Sequence, residues 1–277
     1  MTSENKLNVL VIGAHPDDAD FSAGGVAALY ARQGHRVKFV SVTNGDAGHH
    51  EIGGVELAKR RYAETQAVAK VLGIAEYQVL DNHDGELEPS LANRRQIIRL
   101  IREFNPDLIM TPRPNDYHPD HRYTSVLVQD SAYMVTVPNT VSLTPHLRKN
   151  PVFVYVADRF KHPYPFTPDV AVDIGEVIKL KYDALHCHTS QVYEWLAYNA
   201  GHLDEVPAGD AERRAWLEKS RWARNSDIAD NHRDLLTRWY GAERAAKIEV
   251  AEAFEVCEYG SQPNEAELRR LFPFFPH

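Results

Sequence analysis

Two hydrophobic rhythms alternate along the first half of the chain: short apolar, β-branched runs, and longer stretches whose apolar positions recur at helical spacing. The runs at residues 7–13, 37–43, 77–80 and 108–111 predict strands, and the stretches at 21–33, 55–72 and 91–104 predict helices. Gly34, Gly73 and Pro106 follow those helices as stop signals. Strands and helices in this order predict βαβ units joined by right-handed crossovers around a parallel sheet. Further strands are expected at 152–157 and 169–174, framing a proline-rich loop at 161–168, with a helix after them at 176–187. Residues 192–246 read as helical and 248–256 as a strand. The aromatic, proline-bearing tail at 271–277 is expected either to dock on the body or to meet another chain as part of a homo-oligomer. The fold class is therefore α/β, a Rossmann-like, mostly parallel sheet flanked by helices. We expect one domain over residues 1–277, with a core at about 7–191 and a helical C-terminal elaboration at about 192–277.

Charge narrows the partners. Lys and Arg number 31 against 39 Asp and Glu, a net charge of −8, and the acidic residues are scattered. Nucleic acid is disfavoured, because phosphate binding needs a basic face. No apolar run reaches the roughly 18 residues of a membrane span, and Met-Thr-Ser-Glu-Asn-Lys leads directly into the first strand, so the chain is read as cytoplasmic. Cys187 and Cys257 are too few and too far apart for a disulfide framework or a CxxC metal site, and both are expected to be buried or inert thiols. There is no G-x-G-x-x-G after the first strand, only Gly13 and later Gly24-Gly25, so no dinucleotide cradle is indicated.

In an open parallel sheet, ligands bind beyond the carboxyl ends of the strands. The first strand ends in Gly13-Ala14-His15-Pro16-Asp17-Asp18, and the fourth in a run that includes Asp116-Tyr117-His118-Pro119-Asp120-His121. His15 and Asp18, three apart, can aim at one point from a turn, and His121 can approach from the neighbouring loop. Two imidazoles and one carboxylate around an open position is a catalytic zinc arrangement, although the same donors also suit Fe(II). Asp17 points elsewhere than its neighbour and can act as general base, while His118 can stabilise an oxyanion or act as the acid. Asp120 is a natural carboxylate partner for one of the imidazoles. The bland alternative for the first motif is an Asp-rich helix cap, and for the second a polar turn.

These motifs, Ala-His-Pro-Asp-Asp and His-Pro-Asp-His, resemble the PIG-L/LmbE-like family of zinc N-deacetylases. Arg61, Glu64 and Leu72-Gly73 resemble that family's second helix and its exit, Asp84-Gly85 with Leu87 its Asp-Gly-x-Leu loop, and His188-Thr189-Ser190-Gln191 its His-x-Ser-Gln segment. The resemblance implies hydrolysis of N-acetyl groups on glucosamine-containing substrates by one zinc. It also implies metal ligation by His15, Asp18 and His121, general-base duty for Asp17, and oxyanion or acid duty for His118. The choice of His121 over His118 as ligand comes from the family. This chain carries Ala19 and then Asp20 where the most frequent motif has Glu directly after the aspartates.

Candidate substrate contacts are Arg61, Asp84, Tyr117 and His188. Each has an ordinary explanation or a weaker signal: a surface ion pair for Arg61 and Glu64, an Asp-Gly turn for Asp84, and a helix C-terminal cap for His186 and His188. His49-His50 follows Asn44-Gly45-Asp46 and can line the same mouth, but reads first as an exposed loop pair. The expected function is removal of an N-acetyl group from an N-acetylglucosamine-type sugar or glycoside, a small-molecule substrate. The rival readings are an amidase on another acyl amide such as a thiol conjugate, and a non-catalytic sugar- or nucleotide-binding module. An Fe(II) oxygenase is disfavoured by the sheet pattern, which is fold-level analogy.

Overall fold

The computed structural model describes residues 6–220 and 226–276. Part of the chain's opening segment and His277 of the tail lie outside the described residues. Strands β1 (Asn8–Gly13), β2 (Arg36–Thr43), β3 (Glu76–Asn82), β4 (Leu108–Thr111), β5 (Val152–Val156), β6 (Val170–Asp173) and β7 (Ala251–Gly260) form one sheet in the order β3-β2-β1-β4-β5-β7-β6. The first five run parallel, and β7 lies antiparallel between β5 and β6.

Strands β1, β4 and β5 read as continuous apolar runs because both faces of the sheet are covered there. Val9 and Val11 of β1 enter one core layer, Leu10 and Ile12 the other. The first layer holds helices α1 (Asp18–Arg32) and α2 (Gly54–Leu72), and the second holds α3 (Leu91–Phe104) and α4 (Pro119–Met134). Gly34 and Gly73 take left-handed backbone after α1 and α2, while Asn105 does so after α3, just before Pro106.

Helix α1 starts at Asp18, three residues before the expected position, because the Asp18 carboxylate accepts the amides of Ala14 (2.9 Å) and His15 (2.8 Å) and closes the turn itself. Gly13 makes room for this: a Cβ there would sit 2.7 Å from Asp18 Cβ. Midway along α1, the Glu252 carboxylate of β7 accepts the amides of Gly25 and Val26, both at 2.8 Å. Lys181, on α5 (Ile178–His186), reaches Glu252 at 2.7 Å and the Phe21 carbonyl at 2.7 Å.

The 192–246 region is less uniform than expected. A π-helical turn (Ser190–Trp195) leads into short helices at Leu196–Asn199, Asp210–Lys219, Ser226–Asn231, Arg233–Tyr240 and Ala242–Ala245. β7 begins three residues later than the predicted strand and ends four residues later. The described part of the tail docks on the body, with Phe272 and Phe275 buried and Phe275 stacked on Trp239 at 4.4 Å. Cys257 is buried, Cys187 is half-buried, and both are free thiols.

Candidate active site

The strand order reverses between β1 and β4: β2 and β3 continue to one side, β5 to the other. Their carboxyl ends part there and open the crevice where doubly wound sheets hold ligands. Gly13 and Thr111 end those two strands, so both sequence motifs fall at this point. They line a cleft of about 380 Å³ with Arg61, Asp84 and Trp195.

On the cleft floor His15 Nδ1 lies 3.1 Å from His121 Nε2, and Asp18 Oδ2 lies 3.4 Å from the first and 3.5 Å from the second. Each imidazole turns its other nitrogen to carboxylates. His15 Nε2 meets Asp120 Oδ2 and Asp84 Oδ1, both at 3.2 Å, and His121 Nδ1 meets Asp116 Oδ2 at 3.1 Å. In the neutral rings those nitrogens carry the proton and donate it in hydrogen bonds to the carboxylates, which assigns the tautomers. The remaining nitrogen lone pairs then converge with the Asp18 oxygen on one point. Donor atoms about 2.1 Å from a tetrahedral ion stand about 3.4 Å apart, so these three residues fit a small divalent metal. His118 brings a further nitrogen, within 4.8 Å of those of His15 and His121.

The charges of this cluster are strongly coupled. Burial pulls the His15 pKa down, but hydrogen bonds to Asp120, Asp18 and Asp84 outweigh it and hold it well above the usual imidazole value. Burial likewise opposes protonation of His121, while Asp18 and Asp116 raise its pKa. Burial would raise Asp18, yet His121 and His15 hold it far below the ordinary carboxylate range. Asp17 behaves differently: burial raises its carboxyl and Arg61 only partly opposes the rise. His118 is pushed down by burial and by repulsion from His15 and His121, which favours the neutral ring. As the cap of α4, its Nδ1 accepts the Asp120 amide at 3.2 Å, so in the neutral ring Nε2 carries the proton.

The supporting residues depart from their ordinary explanations. Arg61 is 2% exposed, not a surface residue: it donates to Asp17 Oδ1 at 3.1 Å and to the Gly45 carbonyl at 3.2 Å, and lies 3.5 Å from Asp84 Oδ2. Gly45 (φ 71°) is needed there, since a Cβ would come within 2.6 Å of the guanidinium. Glu64 accepts from the Ser190 amide and from the hydroxyls of Ser190 and Thr189. Both residues stand on the buried stripe of α2 with Leu57, Val68 and Leu72, a spacing the sequence displays.

Tyr117 is at the mouth of the cleft and 74% exposed. His188 does not line the cleft and does not cap a helix at the surface. It is fully buried, with Nε2 3.0 Å from Asp20 Oδ2, which also accepts the Tyr77 hydroxyl. The unusual Asp20 thus ties α1 to the segment after α5 and stands away from the cleft. Asp120, fully buried, also accepts the Gly85 amide at 2.7 Å, joining the loop after β3 to the floor. His49 and His50 are half-buried, correcting the exposed-pair expectation, and His49 bonds Glu194 at 2.9 Å. The sequence reading assigned no role to Asp116, although it lies inside the second motif. It also missed Trp195, Leu196 and Asn199, which line the cleft from a stretch with no recognisable motif.

A family model described as PIG-L, GlcNAc-PI de-N-acetylase, matches residues 10–132, the span that carries both floor motifs. A diacetylchitobiose deacetylase of Thermococcus kodakarensis is 31% identical over 197 residues, which cover 67% of this chain and 70% of that protein. A 4-oxalmesaconate hydratase of Pseudomonas putida is 26% identical over 202 residues, 69% of this chain and 76% of that protein. The structure of N,N'-diacetylchitobiose deacetylase from Pyrococcus horikoshii shares the fold with a TM-score of 0.65, over 90% of this chain and 83% of that one, at 24% identity. With the floor motifs in place at the sheet's reversal point, this chain belongs to the PIG-L de-N-acetylase family.

Proposed function

We propose that the chain is a zinc-dependent hydrolase that removes the acetyl group from the nitrogen of an N-acetylglucosamine-type sugar or glycoside. The observation that carries this reading is the convergence of His15 Nδ1, Asp18 Oδ2 and His121 Nε2 beside Asp17, a separate carboxylate free of that convergence. His15, Asp18 and His121 would hold the metal, which when bound supplies Lewis acidity to the amide carbonyl and to the attacking water. Asp17 takes the proton of that water. Its raised pKa suits the task, and Arg61 fixes one carboxylate oxygen so that the other can work. As the C–N bond breaks, the same carboxyl delivers the proton to the leaving amine nitrogen. His118, neutral and carrying its proton on Nε2, is a hydrogen-bond donor to the carbonyl oxygen as negative charge develops there. A neutral ring with Nδ1 engaged favours this donor role over that of the acid.

The floor also bears on the reaction class, because one relative is a hydratase of an oxo-acid. Arg61 is the sole Lys or Arg among the described residues lining the cleft, and it already faces Asp17 and Asp84. Among the described residues of the cleft, a polyanionic substrate would meet carboxylates and no unpaired Lys or Arg side chain, whereas a neutral acetamido sugar needs none. The test is acetate release from free, oligomeric and glycosidically linked N-acetylated sugars, with 4-oxalmesaconate hydration measured in parallel, on zinc-loaded and chelated protein. Metal-dependent acetate release is expected. Hydration without acetate release would overturn the reading, and release that survives full chelation would remove the metal from it.

A further inference from the structure

The mouth of the cleft carries a built aromatic feature that the deacetylation chemistry does not use. Trp195 closes the π-helical turn and lines the cleft. Tyr198 stacks near it, with ring centroids 6.1 Å apart and planes 23° from parallel. His50 stacks on Tyr198 at 4.1 Å and 7°, and His49 on His50 at 4.6 Å and 20°. The last ring in this column is locked: His49 Nε2 bonds Glu194 at 2.9 Å, and His49 Nδ1 accepts the amides of Glu51 and Ile52 at 3.1 and 3.3 Å. Glu194 is itself gripped by both terminal nitrogens of Arg60. Four rings from two separate segments are thus held in one stack, with Trp195 as the member on the cleft.

Such a column is costly to assemble from loops, since each ring gives up rotamer freedom. π-helical turns also tend to occur at functional sites. What a fixed aromatic plane receives best is a flat, CH-bearing face, and a pyranose ring offers one while its hydroxyls point to water or to polar neighbours such as Asn199. The charge at this wall is already balanced, because Glu194 is paired with Arg60 and His49, so an anionic group gains nothing there.

We infer that Trp195 and the ring column behind it form a subsite for a second, neutral sugar ring, linked to the acetamido sugar that lies over the floor. The inference rests on the deacetylase reading above and narrows it to neutral oligosaccharides or glycosides with a ring-bearing aglycone. In kinetic terms Trp195 is a specificity residue. Its removal changes the preference for a two-ring over a one-ring substrate, expressed in KM more than in kcat.

The experiment compares N,N'-diacetylchitobiose with N-acetylglucosamine on the full chain, in the wild type, Trp195→Ala and Trp195→Phe. The ratio of kcat/KM for disaccharide over monosaccharide is expected to fall about tenfold in Trp195→Ala, the scale of one aromatic contact, and to recover in Trp195→Phe. Calorimetric titration with each sugar reads binding without turnover, and the disaccharide should bind more tightly only where an aromatic ring is present. An unchanged ratio together with equal affinities in the wild type and Trp195→Ala overturns the subsite. Ring-dependent disaccharide binding with no acetate released by any of the proteins overturns the deacetylase reading and leaves the subsite standing.

Discussion

Replacing Asp116 by Asn exchanges one oxygen for an NH₂ group and barely changes volume, yet it should disarm the floor. Asp116 Oδ1 accepts the His118 amide at 2.9 Å, and Oδ2 faces His121 Nδ1 at 3.1 Å. An asparagine has one acceptor oxygen for these two donors. If its oxygen stays on the His118 amide, its NH₂ faces His121 Nδ1, which must then be unprotonated, and the proton moves to Nε2 where the three lone pairs meet. If the amide flips, the NH₂ opposes the His118 N–H and leaves that donor unpaired. Either arrangement costs about 1–3 kcal/mol, and partners of metal-bound histidines commonly contribute about 10–100-fold in metal affinity. We therefore expect Asp116→Asn to bind zinc about 10–100-fold more weakly, measured by competition with a chromophoric chelator. Its far-ultraviolet circular dichroism in chelator should match the metal-free wild type, separating the effect from misfolding. Wild-type zinc affinity in Asp116→Asn would refute the reasoning, because the tautomer of His121 would then not depend on this carboxylate.

Three further outcomes follow from the same geometry. Asp17→Asn should retain zinc and lose at least about 100-fold in turnover, the scale of a missing general base; activity within tenfold of wild type, at equal metal content, would contradict the assignment. His121→Ala should lose metal and activity together, whereas His118→Ala should keep metal and lose activity, and metal analysis showing the reverse would exchange their roles. Glu252→Gln puts an NH₂ against Lys181 or an α1 amide in a fully buried site, so it should lower stability by about 3–5 kcal/mol and the melting temperature by about 10 °C. Thermal melting within 2 °C or so of wild type would show that the pair contributes little.

What the sequence made legible follows from how each residue is used. β1 and β4 stand out because burial on both faces demands unbroken apolar runs, and both floor motifs because chemistry there needs rare residue types at fixed spacing. Arg61 and Glu64 looked like an i,i+3 surface pair because their charge is easier to notice than their place on the stripe of Leu57, Val68 and Leu72. His188 looked like a cap for the same reason: its partner Asp20 lies 168 positions away, and no local pattern reports such a bond. The ring column was illegible because its members come from two separate segments that meet only in three dimensions. The limits of β7 were blurred because apolar residues just before it, such as the buried Ile248, extend its run without joining the strand.

The bond between Glu252 and the backbone of α1 links residues 227 positions apart, and this has a consequence for the order in which the protein is made. The early βα units carry strong local signals and can take shape as they emerge. The middle of the first helix, however, keeps one side open until β7 arrives to close it. β7 is also the strand that joins β6 to the rest of the sheet. Completion of the native core thus waits for β7 to be made, and a nascent chain of 250 residues holds every group of the proposed metal and base constellation without the strand that closes the scaffold around them.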